Sequence, residues 1–188
     1  IQMLNVRNEQ LIVDQKGIYS VEKFLMARRF MYWQVYLHKT SIVADCLLLG
    51  TLKRAKELIA SNKTIFASPF LTFFLTHSFT KEDLQKEDVL TNLCNLDDNE
   101  IISAIKVWQT NPDKTLSTMS KMIIDRNLLK IEIADEPYSQ EYIHTKETEA
   151  AKLLGIDAHL AKYFVTSGKL SNKAYSSDGN SLKIGMKD

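Results

Sequence analysis

A stretch without proline, residues 20–60, constrains the fold of this chain more than any other feature of its sequence. Only one glycine, Gly50, interrupts it, and apolar side chains recur in it at three- and four-residue intervals. This periodicity predicts an α-helix of roughly forty residues that begins with Ser20 as its N-cap and bends near Thr40–Ser41 or near Gly50. Such a helix spans about 60 Å and would form the backbone of the fold.

Shorter elements are predicted on both sides of this helix. Alternating apolar and polar residues around Asn8-Glu9 indicate a β-hairpin over residues 3–14. Helix-start signals recur at three places, namely Ser68-Pro69, Thr80 with Asp83, and the capping box of Asp97 with Glu100. The other predicted elements are a helix over 114–129, a strand over 130–134, a helix over 139–154 ended by Gly155, and strands over 163–165 and 182–185.

These elements predict a mainly α fold, with a long central helix, shorter packed helices and a smaller α+β region toward the C-terminus. We expect residues 1–135 to form part of a helical domain and residues 136–188 to form the small α+β region. The chain begins at Ile1 without a methionine and closes on a strand-like segment. We therefore expect it to be an internal piece of a longer protein.

Composition limits the partners of this chain. The net charge of its 188 residues is +1, so no global field draws it to nucleic acid or to an anionic membrane, and any anion site must be local. Cys46 and Cys94 lack metal-ligand spacing and are too few for a disulfide framework, which predicts buried thiols in a reducing, cytoplasmic compartment. The longest apolar runs, such as residues 70–75, are too short to span a bilayer.

One side of the predicted long helix carries Arg28, Tyr32, Tyr36 and Lys39 within a stripe about 100° wide. The planar fork of an arginine bonds phosphate in a bidentate way, and a tyrosine ring packs on a sugar or a base. The stripe is therefore either a site for a phosphorylated ligand or part of a helix buried between neighbours, with its arginine satisfied by carboxylates. His38 lies on the other side of Arg28, where a hydrogen-bonded core role competes with a catalytic one.

Motifs for self-contained catalysis do not occur in the sequence. None of the four histidines is spaced as a metal ligand, and the common nucleotide-loop and serine-nucleophile patterns are missing. The adjacent carboxylates Asp97 and Asp98 precede a predicted helix, which favours capping over metal binding. Near the C-terminus, lysines alternate with aromatic residues, and these are Lys162, Tyr163, Phe164, Lys169, Lys173 and Tyr175. This segment is either a surface that binds nucleic acid or phosphate or an ordinary solvated face.

The run from Arg28 through Tyr32 to Tyr36-Leu37-His38-Lys39 resembles a segment of the HD-domain phosphohydrolases, in particular their deoxynucleoside triphosphate triphosphohydrolase branch. A second segment agrees with this resemblance. Asp97-Asp98, the helix behind them, the Asn111-Pro112 turn and the run 125–130 follow in the order expected of that family. The resemblance covers about residues 1–135. It implies a helical HD-domain-like fold.

The resemblance also implies roles for individual residues. Arg28 would contact phosphate and Tyr36 would pack on the deoxyribose or base, with Tyr32 and Lys39 beside them. His38 and Lys39 match positions that lie near a regulatory nucleotide between subunits in some members of the family. Leu37 and Tyr32 depart from the residues often found there, which leaves base selectivity and any acid–base role open.

The histidine–aspartate motif that holds the divalent metal ion in that family does not occur in these residues. The resemblance places it before the long helix, so we expect the metal in a missing N-terminal half and no metal bound by this segment. The implied function is the substrate-gripping and oligomerising part of a metal-dependent hydrolase that releases nucleoside and triphosphate from (deoxy)nucleoside triphosphates. On its own the segment would be inactive. The alternative is a non-catalytic helical module that senses nucleotides or binds protein or nucleic acid. The apolar length of the long helix separately predicts a homo-oligomer, formed through this helix or the mixed C-terminal region. We expect no membrane partner.

Overall fold

The computed structural model describes residues 3–170 and 182–185. The fold is mainly α with a small sheet, as the sequence predicts. Its elements are β1 (Leu4–Arg7), β2 (Gln10–Asp14), α1 (Ile18–Met31), α2 (Lys39–Ala60), α3 (Pro69–Thr76), α4 (Glu87–Asn95), α5 (Asp98–Trp108), α6 (Lys114–Ile124), α7 (Gln140–Leu154) and β3 (Lys183–Gly185). No single helix among the described residues is both long enough and apolar enough to cross a bilayer.

The chain forms two compact units. The first takes in the chain up to Ser41 together with the chain from Lys169 onward, and the second runs from Ile42 to Gly168. The predicted division into 1–135 and 136–188 stays a prediction.

The sheet of the first unit begins with the predicted hairpin. β1 pairs antiparallel with β2, and the turn residues Asn8 and Glu9 both have positive φ, 51° and 60°. Positive φ at both central residues gives a turn whose twist matches that of the flanking strands. β3 pairs parallel with β2, which confirms the strand predicted over 182–185. Val13 is buried, and a Cβ on Gly17 would lie only 2.7 Å from its side chain, so this close approach requires a glycine.

The predicted forty-residue helix is wrong in its continuity. The chain leaves helical geometry at Leu37–His38, and α2 restarts at Lys39 and continues past Gly50 without a break. The hydroxyl of Ser41 donates to the backbone carbonyl of Val35 at 3.0 Å, so side-chain hydrogen bonding competes with the helix at this point. Ser20 is not the N-cap either, because α1 already begins at Ile18.

The core of the second unit is built around α2. One buried cluster joins α2 to α3, α5 and α6 and is centred on Trp108, whose indole N–H donates to the backbone carbonyl of Phe66 at 2.7 Å. The other cluster joins α2 and α6 to the short 3₁₀-helix Ala158–Tyr163 through Leu47, Met119 and Tyr163. Because both clusters use α2, this helix fixes the positions of the elements on either side of it.

Capping signals located most helix ends of the second unit correctly. Ser68 accepts the amide of Leu71, and Asp97 with Glu100 forms the predicted capping box. Gly155 ends α7 in the left-handed conformation with φ of 58°.

Several predicted elements are wrong. Residues 130–134 and 163–165 form no strand, and the helix predicted to reach residue 129 ends at Ile124. Both thiols were predicted to be buried, yet Cys46 is half-buried and Cys94 is exposed.

Candidate functional site

Arg28, Tyr32 and Tyr36 come together on the surface of the first unit. A nitrogen of the Arg28 guanidinium lies 3.5 Å from the Tyr32 hydroxyl, and its Cζ lies 5.5 Å from the centre of the Tyr32 ring. The Tyr32 and Tyr36 rings are 5.2 Å apart and tilted by 51°. We name these three residues the Arg–Tyr cluster. A cation and two aromatic rings of this kind are groups that can contact a phosphorylated or flat ligand.

A π-helical turn sets the spacing of the Arg–Tyr cluster. Residues Tyr32–Tyr36 follow α1 directly, and the amide of Leu37 donates to the carbonyl of Tyr32 at 2.8 Å. A π-turn is wider than an α-turn, so Tyr36 does not lie where a regular helix would place it. π-turns of this kind are frequent at functional sites.

The Arg–Tyr cluster is accessible from solvent. No described side chain of α1 is buried, and Tyr36 is 57% exposed. The alternative interpretation, a helix buried between neighbours, is therefore not met within the described chain.

His38 and Lys39 lie beyond the cluster, at the start of α2. The ring Nδ1 of His38 accepts the backbone amide of Thr40 at 3.3 Å, so this nitrogen serves the first turn of the helix. Lys39 is exposed at the first position of α2, and no contact between its side chain and the Arg–Tyr cluster is recorded in the described part of the chain. The structure thus brings three of the predicted stripe residues together and leaves His38 and Lys39 as neighbours of the group.

A second surface of α1 was not predicted. Met26, Arg29, Phe30, Trp33 and Gln34 line a shallow groove of about 310 Å³. Phe30 and Trp33 are each more than half exposed. Apolar residues occur on all sides of α1. A helix of this kind normally has partners on more than one side, so this distribution was the sequence signal for the second surface.

A polar cluster in the second unit was also not predicted. Arg54 bonds Asp113 and reaches Glu57 at 3.0 Å, and Lys162 reaches the same glutamate at 3.3 Å. Burial opposes ionisation of Glu57, but hydrogen bonds from Tyr163, Arg54 and Lys162 outweigh it and hold the pKa of that carboxyl below its usual value. Burial, aided by the Glu57 carboxylate, raises the pKa of the Tyr163 hydroxyl. The sequence signal was the Arg-x-x-Glu pair on α2, which alone does not identify the distant partners.

Other candidates in the sequence have structural roles or lie elsewhere. Asp97 caps α5 as predicted. Of the basic and aromatic segment near the C-terminus, Lys173 and Tyr175 lie outside the described residues, whereas Tyr163 and Phe164 belong to the core. Within residues 3–170 and 182–185, no group of three or more histidine, cysteine, aspartate or glutamate side chains is arranged to hold a metal ion.

Residues 1–70 match the family described as the HD associated region. The crystal structure of a phosphohydrolase from Bacteroides thetaiotaomicron superposes with a TM-score of 0.89 and 43% sequence identity, over 99% of this chain and 46% of the other. This chain is thus similar to a phosphohydrolase and contains a segment that matches the HD associated region.

Two curated proteins are also similar in sequence to this chain. The uncharacterized protein YwfO of Bacillus subtilis is 28% identical over 84% of this chain and 34% of its own length. The uncharacterized MG461 homolog of Mycoplasma pneumoniae is 27% identical over 98% of this chain and 45% of its own length. The chain thus spans between a third and a half of the curated relatives that it matches. The segment matched to the HD associated region contains the whole Arg–Tyr cluster together with His38 and Lys39.

Proposed function

We propose that this chain is the substrate-gripping and oligomerising part of an HD-type phosphohydrolase that acts on (deoxy)nucleoside triphosphates and releases nucleoside and triphosphate. The observation that carries the proposal is the exposed Arg–Tyr cluster within the segment matched to the HD associated region. The similarity to a phosphohydrolase supports the reaction class.

Arg28 is the proposed phosphate ligand. Its guanidinium offers paired N–H donors that fit two oxygens of one phosphate. The Tyr32 ring beneath it restricts the side chain, so less rotamer freedom is lost when phosphate binds.

Tyr36 is the proposed contact for the deoxyribose or base. Its ring is more than half exposed and is supported by the Tyr32 ring, so one face is open for stacking on a flat group. Lys39 and His38, at the start of α2, are the proposed contacts for further charge on the same ligand or on a regulatory nucleotide.

The chemical step belongs to the rest of the enzyme in this proposal. A divalent ion held there would activate water for attack on phosphorus. The described residues offer no donor set that fits such an ion, so no step through a metal is assigned to them. What this chain contributes is binding and orientation of the triphosphate.

The exposed apolar surface of α1 favours a second role in assembly. Four apolar side chains on this surface are each more than half exposed, namely Phe24, Met26, Phe30 and Trp33. Contiguous exposed apolar side chains commonly mark a surface that contacts another protein. We infer that this surface is covered in the complete enzyme, which forms a homo-oligomer. The same surface is what a non-catalytic interaction module would use, and light scattering that shows only monomer for the full-length gene product would contradict the homo-oligomer.

Metal-dependent hydrolysis of the four deoxynucleoside triphosphates by the full-length gene product tests the proposed function. Arg28→Ala should lower kcat/KM by about thirtyfold, since a charged hydrogen bond to phosphate is worth about 2 kcal/mol. Lys23→Ala is the matched control, because it removes one positive charge from an exposed position on α1 outside both the Arg–Tyr cluster and the groove lined by Arg29. Equal losses in the two variants, or no hydrolysis by the parent protein, would overturn the proposal.

A further inference from the structure

A groove in the second unit is separate from the Arg–Tyr cluster and has no part in the function proposed above. It lies between one face of α2 and the 3₁₀-helix that ends at Tyr163, and its volume is about 580 Å³. Sites for small molecules commonly fall in this range. Its lining residues are Cys46, Leu49, Gly50, Lys53, Lys56, Glu57, Lys162, Tyr163 and Thr166.

The floor of the groove is apolar. Leu49 is 56% exposed even though it lies on the helix that carries the core, and Cys46 and the Tyr163 ring flank it. An exposed leucine in a concave surface can be covered by an apolar ligand, which would remove that surface from water.

Gly50 gives a second, independent observation about the floor. A glycine within a helix costs about 1 kcal/mol relative to alanine. A Cβ at this position would lie 3.6 Å from Met119 Sδ and from the Tyr163 carbonyl, which is ordinary van der Waals contact, so packing does not require a glycine here. Because Gly50 also lines the groove, we infer that its missing methyl group leaves the groove deeper.

The rim of the groove is cationic. Lys53 is exposed and has no ion-pair partner in the part of the chain that the structure describes. Lys162 lies on the opposite side, with its amine 5.1 Å from the centre of the Tyr163 ring and 3.3 Å from Glu57. The charge of Glu57 is already shared with Arg54, so the rim keeps an excess of positive charge.

Lys56 adds to this positive charge, but its amine is already engaged in hydrogen bonds. Its amine donates to the backbone carbonyls of Phe74 and His77, where it serves the C-terminal end of α3. The cations that face a ligand are therefore Lys53 and Lys162.

We propose that this groove binds a small amphiphilic anion, with a phosphate or carboxylate head between Lys53 and Lys162 and an apolar body on the floor formed by Leu49, Gly50 and Tyr163. The charge of the rim selects the head, because a lysine amine binds an oxyanion as a point charge. The floor selects a body that has few polar groups.

Isothermal titration calorimetry on the full-length gene product tests the groove. Octyl phosphate is the principal probe, octanoate has a carboxylate head, inorganic phosphate has no apolar body, and octanol has no charge. Octyl phosphate or octanoate should bind at least about tenfold more tightly than inorganic phosphate or octanol. The reason is that the charged head and the apolar body each contribute to the free energy of binding. The better of these two identifies the head, whereas binding no tighter than that of inorganic phosphate and octanol would overturn the proposal.

Substitutions place the binding in the groove. Lys53→Glu should weaken the amphiphilic probe by about tenfold, because it puts a like charge beside the head. Lys152→Glu, at an exposed position on α7 outside the groove, should leave its affinity unchanged. Equal affinities in these two variants would overturn the proposal.

Gly50→Ala separates a ligand site from a purely structural role. This change should raise the melting temperature, because alanine favours the helix, and should weaken the amphiphilic probe several-fold, because the floor becomes shallower. A raised melting temperature with unchanged affinity would overturn the proposal. Arg28→Ala should not alter binding of the probe to the groove, so failure of this proposal is distinguishable from failure of the proposed function.

Discussion

Arg54 and Asp113 hold each other by two hydrogen bonds, from Nη2 to Oδ2 at 2.7 Å and from Nε to Oδ1 at 3.2 Å. The same carboxylate accepts the amide of Leu116 at 2.8 Å and so caps α6. One aspartate therefore ties the start of α6 to the middle of α2, and the partial burial of both side chains makes its removal more costly than that of a surface partner.

We expect Asp113→Ala to lower the free energy of unfolding by about 2–3 kcal/mol, since it removes a helix cap and leaves Arg54 without its bidentate partner. Urea unfolding followed by circular dichroism measures this. Lys146→Ala removes one side of the exposed pair with Glu149 and should leave the midpoint unchanged. A similar midpoint shift in both variants would contradict the role assigned to Asp113.

Stability should fall at acid pH because of the same carboxyl. Burial opposes ionisation of Asp113, but the hydrogen bond from Arg54 and the amide of Leu116 hold its pKa below the usual 3.8. A group whose pKa is lower in the folded state stabilises the fold fully above its unfolded pKa and loses that contribution as the pH falls through the folded pKa. The free energy of unfolding should thus stay level from pH 7 to about pH 5. It should decline as the pH falls through about 4, the normal pKa of a carboxyl group, toward the lower pKa of Asp113 in the folded state.

Asp113→Asn tests the origin of this decline. The variant should be less stable at neutral pH and should show a shallower decline below pH about 4, since the amide does not titrate. The lowered pKa of Glu57 leaves part of the slope in place. An unchanged slope in Asp113→Asn would assign the acid sensitivity to other carboxyls.

Gly155→Ala should destabilise the second unit by about 1 kcal/mol, because alanine disfavours the left-handed conformation that ends α7. A Cβ there would also lie 3.0 Å from the amine of Lys114, which donates to the carbonyl of Gly155. Gly168→Ala is the control, since a Cβ at that position meets nothing within 4 Å. Thermal unfolding of the two variants side by side gives the difference.

The ring of Tyr32 should matter more than its hydroxyl in the proposed triphosphate site. Its ring contacts both Arg28 and Tyr36, whereas its hydroxyl is 3.5 Å from the guanidinium, which is long for a hydrogen bond. Tyr32→Phe should change KM for a deoxynucleoside triphosphate less than about twofold, and Tyr32→Ala should raise it about fivefold or more. The reverse order would assign binding to the hydroxyl.

Local signals in the sequence predicted the hairpin, the capped helices and the mainly α class because each depends on neighbouring residues. The Asn8-Glu9 turn and the Asp97–Glu100 capping box are of this kind. The predicted bend near Thr40–Ser41 lies close to the observed break at Leu37–His38. The full interruption of the helix was not predicted, because no proline or glycine marks it. It accompanies a π-turn and the hydrogen bond of Ser41. The strand predicted at 130–134 alternates correctly, yet no neighbouring strand pairs with it among the described residues.

The candidate site divides in the same way. Arg28, Tyr32 and Tyr36 were predicted as neighbours because a four-residue spacing brings side chains together in an α-helix, and the rings of Tyr32 and Tyr36 remain close in the π-turn. The partners of Arg54 and Glu57 were not predicted, because Asp113 and Lys162 lie far along the chain and only the packed fold brings them together.

The two tryptophans of the chain lie in different units and in opposite environments. Trp33, in the first unit, is 55% exposed, whereas Trp108, in the second, is 1% exposed and bonded to a backbone carbonyl. Each unit thus carries its own optical reporter. Emission from Trp108 should be blue-shifted and protected from acrylamide, emission from Trp33 should be red-shifted and quenched, and any partner that covers α1 should be visible at Trp33 alone.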